Sequence, residues 1–363
     1  MSISFGMCGL GGRDKTFLRE VERLQWLELG ALCDRNEALL EQWGEQLGVG
    51  QLFTSYEDLL ASDVDFIFLS TPPAVHADMT IRALQAGKPV LCEVPAVASM
   101  EEARALVAAV EETGCLYMMA ENYCFRRDVQ AFKRFIEAGE IGRIIYARGS
   151  YCHDFRSEVD RWVQEGIRPW MARYEIPRYI THSLGPLLYV TGQRLKRLTA
   201  MAPDDRIVME DHDPVLICVH ACGTEGTVFD SIHSMFVGRY DICYSFTGEH
   251  GTIESFPFKV DPLESKPPLL GETPYRLTRS DAVDAELHDG VMLDLDPGDP
   301  FNSYQGGSHW GADLCEVAVF AECVRDQKPV PIDVHRALDM SLPGIAAIES
   351  IRRGGEPVDI PAL

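Results

Sequence analysis

The sequence predicts an α/β chain of two parts: a doubly wound parallel sheet, then an α+β domain with a large open, mainly antiparallel sheet. Three observations predict it. Short apolar runs alternate with helical periodicity over the first 120 residues, a glycine-rich turn follows the first run, and past residue 123 period-two runs follow one another with little helix between them. At 363 residues, 46% hydrophobic and 25% charged, the chain is long enough for two cores. The expected domains are 1–123 and 124–363, with the last helices able to pack back on the first.

Residues 3–8, 28–33, 66–69, 90–92 and 116–119 read as strands. Their near-continuous apolar character is that of parallel strands covered on both faces. Helices are expected over 36–47 behind an Asn36 cap, over 74–86 closing at Gly87, and over 99–110, where Ser99 and Glu102 form a capping box. A helix over 129–138 opens the second part. Strands follow at 144–150, 214–221, 226–233, 241–247 and 252–256, and helices at 311–326 and 334–352 end the chain. Residues 257–307, rich in Pro, Gly and Asp, read as a functional loop or flap.

The net charge of −23, from 56 acidic and 33 basic residues, argues against nucleic acid and anionic membranes as partners. No leader or bilayer-length apolar stretch is visible. Eleven scattered cysteines with no C-x-x-C pair suggest reduced thiols, a cytoplasmic location and no structural metal. Acidic–histidine runs such as Asp211-His212-Asp213 lack ligand spacing and read as solvated turns.

Gly6-Met7-Cys8-Gly9-Leu10-Gly11-Gly12-Arg13 ends the first strand and opens a helix. Small residues there let backbone approach a pyrophosphate seated on the helix N-terminus. Gly9, Gly11, Gly12 and Arg13 are therefore candidate cofactor residues, although Asp14 stands where the third glycine of the usual fingerprint would be. Asp34, at the end of the second strand, can accept both adenosine ribose hydroxyls, which points to NAD. Arg35 beside it leaves a 2′-phosphate, and so NADP, open. The other strand ends put Ser70, Thr71, Pro72 and His76, then Glu93 and Val94, then Glu121 and Asn122 along the same edge.

These residues resemble the glucose–fructose oxidoreductase/inositol dehydrogenase (Gfo/Idh/MocA) family. The run FIFLSTPPAVHADMTIRALQAGKPVLCEVPAVASMEEARAL (66–106) is similar to its long signature, and GEHGTIES and GIAAIES to weaker features. The resemblance implies a Rossmann domain, an open-faced sheet domain, a nicotinamide cofactor and a carbohydrate or polyol substrate. One departure stands out: the family's Glu-Lys-Pro, whose lysine assists proton transfer, is here Glu93-Val94-Pro95, and a valine moves no proton.

Two Tyr–His pairs offer replacements. If residues 179–190 are helical, Tyr179 and His182 share one face. In Tyr151-Cys152-His153, at the end of an alternating strand, Tyr151 and His153 share a sheet face. Either pair alone could equally be packing. Together with Glu121-Asn122 they resemble one branch, the NAD-dependent α-N-acetylgalactosaminidase type of glycoside hydrolase. Imidazole, with an ordinary pKa of about 6.5, suits removal of a hydroxyl proton. His182 takes that role, Tyr179 or Tyr151 that of partner acid, and His153 or Arg127 that of cationic neighbour. Arg168, Trp170 and His309 are candidate sugar contacts, with Glu121.

Three functions follow: a dehydrogenase for a secondary sugar hydroxyl; a redox-neutral hydrolase that oxidises, eliminates, hydrates and re-reduces; or a non-catalytic NAD sensor. An open sheet must be covered, so a homo-oligomer through that face is expected.

Overall fold

The computed structural model describes residues 2–11, 14–152, 154, 156–166, 168–208, 215–235, 241–255, 275–279 and 308–363. The chain divides into two compact units, Met1–Asn122 with Gly307–Ser341, and Tyr123–Gly306 with Leu342–Ala362.

The first unit is built on six parallel strands: β1 (Ile3–Cys8), β2 (Leu27–Cys33), β3 (Gln51–Phe53), β4 (Phe66–Leu69), β5 (Val90–Glu93) and β6 (Tyr117–Ala120). Their order is β3-β2-β1-β4-β5-β6. The order reverses direction between β1 and β4, and ligands of such sheets bind at that switch, beyond the carboxyl ends of the strands. Phe5, Met7, Phe66, Phe68 and Leu91 are buried, as two-sided coverage demands. Expected helix signals are present: Asn36 Oδ1 accepts from the Leu39 N–H, and Ser99 Oγ accepts from the Glu102 N–H while Glu102 accepts from Ala98. The stretch after β4 is a 3₁₀ turn, Pro73–Val75, leading into the helix His76–Gln85, not one continuous helix. The helix Ala312–Asp326 also belongs to this unit.

The second unit carries an eight-stranded sheet. Its strands are β7 (Ile144–Cys152), β8 (Leu195–Met201), β9 (Leu216–Gly223), β10 (Val228–Ser234), β11 (Asp241–Gly248), β12 (Gly251–Ser255), β13 (Tyr275–Arg279) and β14 (Val358–Asp359). They run in the order β13-β12-β11-β7-β10-β9-β8-β14. Only the β7–β10 pair among these neighbours is parallel, so the sheet is mixed and mostly antiparallel. Helix Thr181–Thr191 packs on β7, β10 and β11, with helix Arg127–Glu137 against it. Its seat is tight: a Cβ on Gly149 of β7 would lie 2.1 Å from the Ser183 carbonyl oxygen. On the other face Cys218, His220 and Cys222 are exposed.

Tyr179 is not helical: it closes the 3₁₀ turn Ile176–Tyr179, because Pro177 starts a tight turn, and the α-helix begins at Thr181. Of the expected loop 257–307, only β13 lies among the described residues. All eleven cysteines carry free thiols.

Candidate active site

The carboxyl edge of the first sheet holds the cofactor candidates. Gly9 has φ +98°, and a Cβ there would lie 2.4 Å from the Ser70 carbonyl oxygen, so only glycine lets the turn lie against the next strand end. Asp34 fastens this turn: one carboxylate oxygen accepts from the Leu10 N–H at 2.7 Å and the other from the Asn36 N–H at 2.9 Å. Each oxygen keeps a lone pair for a ribose hydroxyl. Beneath the turn, Cys8 and Cys33 face each other across β1 and β2. Their mutual hydrogen bond, with burial, pushes the Cys8 thiol up, and the same bond lowers Cys33.

At the next strand ends, Thr71 Oγ1 is buried with no partner, and so is Asn122 Oδ1. Buried polar atoms of that kind call for a ligand. With the Gly9 turn and Asp34, they fit a nicotinamide dinucleotide. Gly11, Arg35, Pro72 and the half-buried Glu93 lie on the same edge, and Glu93 accepts from the Val94 N–H. Val94 is buried and apolar. Gly12 and Arg13 lie outside the described residues.

His76 has a different job from the one its position suggests. Its Nδ1 is 2.9 Å from the Pro95 carbonyl oxygen and its Nε2 is 2.8 Å from that of Thr71. Carbonyls only accept, so both contacts are hydrogen bonds only if the ring is an imidazolium. Burial pulls its pKa down, but the Cys92 sulfur and the two carbonyls pull it up, to about 9. His76 thus ties the loops after β4 and β5 together and has no nitrogen left for a cofactor.

The proton-transfer candidates assemble inside the second unit. His182, 2% exposed, lies in the first turn of Thr181–Thr191. Three phenol rings surround its imidazole, with centroids 4.6 Å away for Tyr179, 4.7 Å for Tyr123 and 4.9 Å for Tyr151. The 3₁₀ turn places Tyr179 edge-on to His182 even without a shared helix. The helix start is anchored by the Tyr244 hydroxyl, which donates to the His182 carbonyl at 2.7 Å.

Arg126, next in sequence to the expected Arg127, is a cation over this cluster. Its guanidinium lies 5.5 Å above the Tyr123 ring and 5.8 Å from that of Tyr244, gripped by both Asp128 oxygens at 3.0 and 2.8 Å. Burial works against that charge, but Asp128 outweighs it and raises the Arg126 pKa further. His153 lies outside the described residues. The second histidine shown in the cluster is one the sequence reading missed, His233. It is the register partner of Tyr151 across β7 and β10, and the two rings stack at 5.0 Å. Tyr174 was also missed; its hydroxyl is buried without a partner, and burial raises its pKa.

The proposed sugar contacts are less convergent. Arg168 stacks on Trp162 and Trp170 lies edge-on to Tyr174. Glu121 is fully buried in the first unit. His309 there pairs with Asp313. Among the described residues no group of three His, Cys, Asp or Glu could hold a metal ion, and no helix is long and apolar enough to cross a membrane.

Fold and cofactor edge together define a dinucleotide-binding α/β protein with a second, open-sheet unit. The family model described as an oxidoreductase family with an NAD-binding Rossmann fold matches residues 3–121. Residues 3–121, about a third of the chain, are thus similar to the NAD-binding domain of the Gfo/Idh/MocA oxidoreductases. A glycosyl hydrolase family 109 protein of Saccharopolyspora erythraea is 24% identical over 99% of this chain and 83% of its own. Glycosyl hydrolase family 109 protein 2 of Shewanella sp. strain ANA-3 is 30% identical over 55% of this chain, and the match spans about half of that relative, 48%. Among solved structures, levoglucosan dehydrogenase in complex with NADH and L-sorbose shares the fold with a TM-score of 0.80 at 18% identity, each chain covered in full (100%). So does myo-inositol 2-dehydrogenase from Lactobacillus plantarum, with a TM-score of 0.74 at 20% identity, covering 99% of this chain and 100% of that one.

Proposed function

We propose that this chain is an NAD-dependent enzyme that oxidises a secondary hydroxyl of a sugar or sugar derivative, with His182 as the base. The observation that carries the reading is the buried imidazole of His182 enclosed by Tyr123, Tyr151 and Tyr179. Such a ring can take a hydroxyl proton, and the phenols can bind that hydroxyl and pass the proton on. Arg126, held by Asp128, lies over the Tyr123 ring and fixes that ring's place in the cluster. When bound, the nicotinamide accepts the hydride that leaves the carbinol carbon, and can return it. Thr71, Asn122 and Asp34 would hold the cofactor, and Arg168, Trp170, Glu121 and His309 are the proposed substrate contacts.

A second reading is redox-neutral cleavage of a glycoside. Two observations favour it: Val94 stands where a proton-transferring lysine serves dehydrogenases of this type, and the relatives that align over nearly the whole chain are named glycosyl hydrolase family 109 proteins. The new ketone acidifies the neighbouring C–H, the aglycone leaves by elimination, water adds, and the ketone is reduced again.

The test is to incubate the purified protein with a panel of sugars and aryl glycosides, recording reduced-nicotinamide absorbance and aglycone release together. Accumulating reduced cofactor selects the dehydrogenase, and aglycone release without it selects the hydrolase. His182→Ala should abolish either activity and leave cofactor binding intact; full turnover by that variant contradicts the assignment. The same reading has the protein working in a reducing cytoplasm, and pairing copies of itself through the exposed face around Cys218 and His220, which light scattering will show.

A further inference from the structure

The second reading needs two proton acceptors, one for a hydroxyl and one for a carbon-bound hydrogen. A group in the first unit has the form of the second. Asp313, 2% exposed, sits in the opening turn of Ala312–Asp326, where the helix dipole favours an ionised carboxylate. Its Oδ1 accepts from Asn122 Nδ2 at 2.8 Å, and its Oδ2 lies 2.7 Å from His309 Nδ1. An ionised carboxylate only accepts, so His309 Nδ1 carries a hydrogen, and in the neutral form of the ring the lone pair is on Nε2. The His309 side chain is 32% exposed. Its backbone has φ +47°, a conformation that non-glycine residues adopt rarely and that persists where the surroundings impose it. Asn122 follows β6, so this carboxylate ties His309 to the strand end where the cofactor candidates gather.

We propose that His309, oriented by Asp313, is the base that removes the carbon-bound proton next to the oxidised carbon of a glycoside. The inference rests on the glycosidase reading above. Nε2 takes the proton, and the C–H electron pair becomes the new C=C bond. The C–O bond to the aglycone breaks, and the departing oxygen takes a proton from water or from the imidazolium formed. Asp313 is a positioning residue: it touches no substrate, and fixes both the tautomer of His309 and the amide of Asn122. An amide at 313 cannot accept from both neighbours, so one of the two is lost.

Two measurements test this. In the substrate-free protein, ¹⁵N-histidine spectra, assigned with His309→Gln, should show the Nδ1–H tautomer at His309, shifting toward the other form in Asp313→Asn. With NAD-loaded protein and an aryl glycoside in D₂O, wild type should exchange deuterium into the carbon beside the oxidised one. His309→Gln and Asp313→Asn should each slow that exchange on the order of 10²-fold. The His309 variant should still bind NAD by titration, so that a loss of exchange is not a loss of cofactor. The double variant should be no slower than the worse single one. An Nε2–H tautomer in wild type, or exchange within twofold of wild type in His309→Gln, overturns the proposal. If wild type oxidises no sugar, the glycosidase reading falls, while the tautomer measurement still decides the Asp313–His309 arrangement.

Discussion

Gly149→Ala tests whether β7 positions His182. In the folded chain the added methyl would lie 2.1 Å from the Ser183 carbonyl oxygen, whereas ordinary contact begins at 3.4 Å. The obstacle is backbone and cannot rotate away, so the start of the helix must move by about 1 Å. Ser183 is the residue after His182, and its hydroxyl accepts from Ser231 at 2.7 Å, so the imidazole must move with it. Overpacking of this kind costs about 1–3 kcal/mol, and a 1 Å misplacement of a reacting group costs roughly 10²-fold in rate. The assays are thermal unfolding, turnover of the substrate found in the panel, and titration with NAD. Stability and kcat should fall while the NAD Kd holds, because Gly149 belongs to the second unit and the cofactor residues to the first. A variant with wild-type melting temperature and kcat within twofold would refute the argued seat of the helix.

Gly9→Ala should abolish NAD binding, since its Cβ meets the Ser70 carbonyl oxygen at 2.4 Å and its φ of +98° strains any side chain; calorimetry showing wild-type affinity would contradict the cradle. His76 predicts a pH dependence. Its folded pKa, about 9, lies above the ordinary value of 6.5 for an unfolded chain, so its stabilisation is full below pH 6.5 and is lost as pH rises through 9. That amounts to about 3 kcal/mol. Denaturant midpoints across this range should decline in wild type and stay flatter in His76→Asn; parallel profiles would show a neutral ring.

Much of the fold was legible because buried parallel strands are short apolar blocks. Ile3–Cys8 and Phe66–Leu69 were read to the residue. The misses have local causes. Gln51–Phe53 is three residues long with an exposed first side chain, too short to show a period. In Leu195–Met201 a shift of register between Leu195 and Arg197 puts two exposed residues side by side and breaks the alternation. At the site, Tyr151 and His182 were readable from their spacing and context. His233 was not, because only the pairing of β7 with β10 brings it to Tyr151. Asp313 reads in sequence as an ordinary carboxylate in a first helical turn, and nothing local reveals that it holds Asn122, 191 residues away.

The central claim is that a sugar carbinol gives up its hydride while His182 takes the hydroxyl proton. It is tested most directly by mixing NAD-loaded protein rapidly with the panel's substrate and following reduced-nicotinamide absorbance in a single turnover. Wild type should show a rise, transient if the enzyme is a hydrolase and lasting if it is a dehydrogenase, and His182→Ala should show none. Product formation by wild-type protein stripped of NAD, with no absorbance change at any time, would contradict the account.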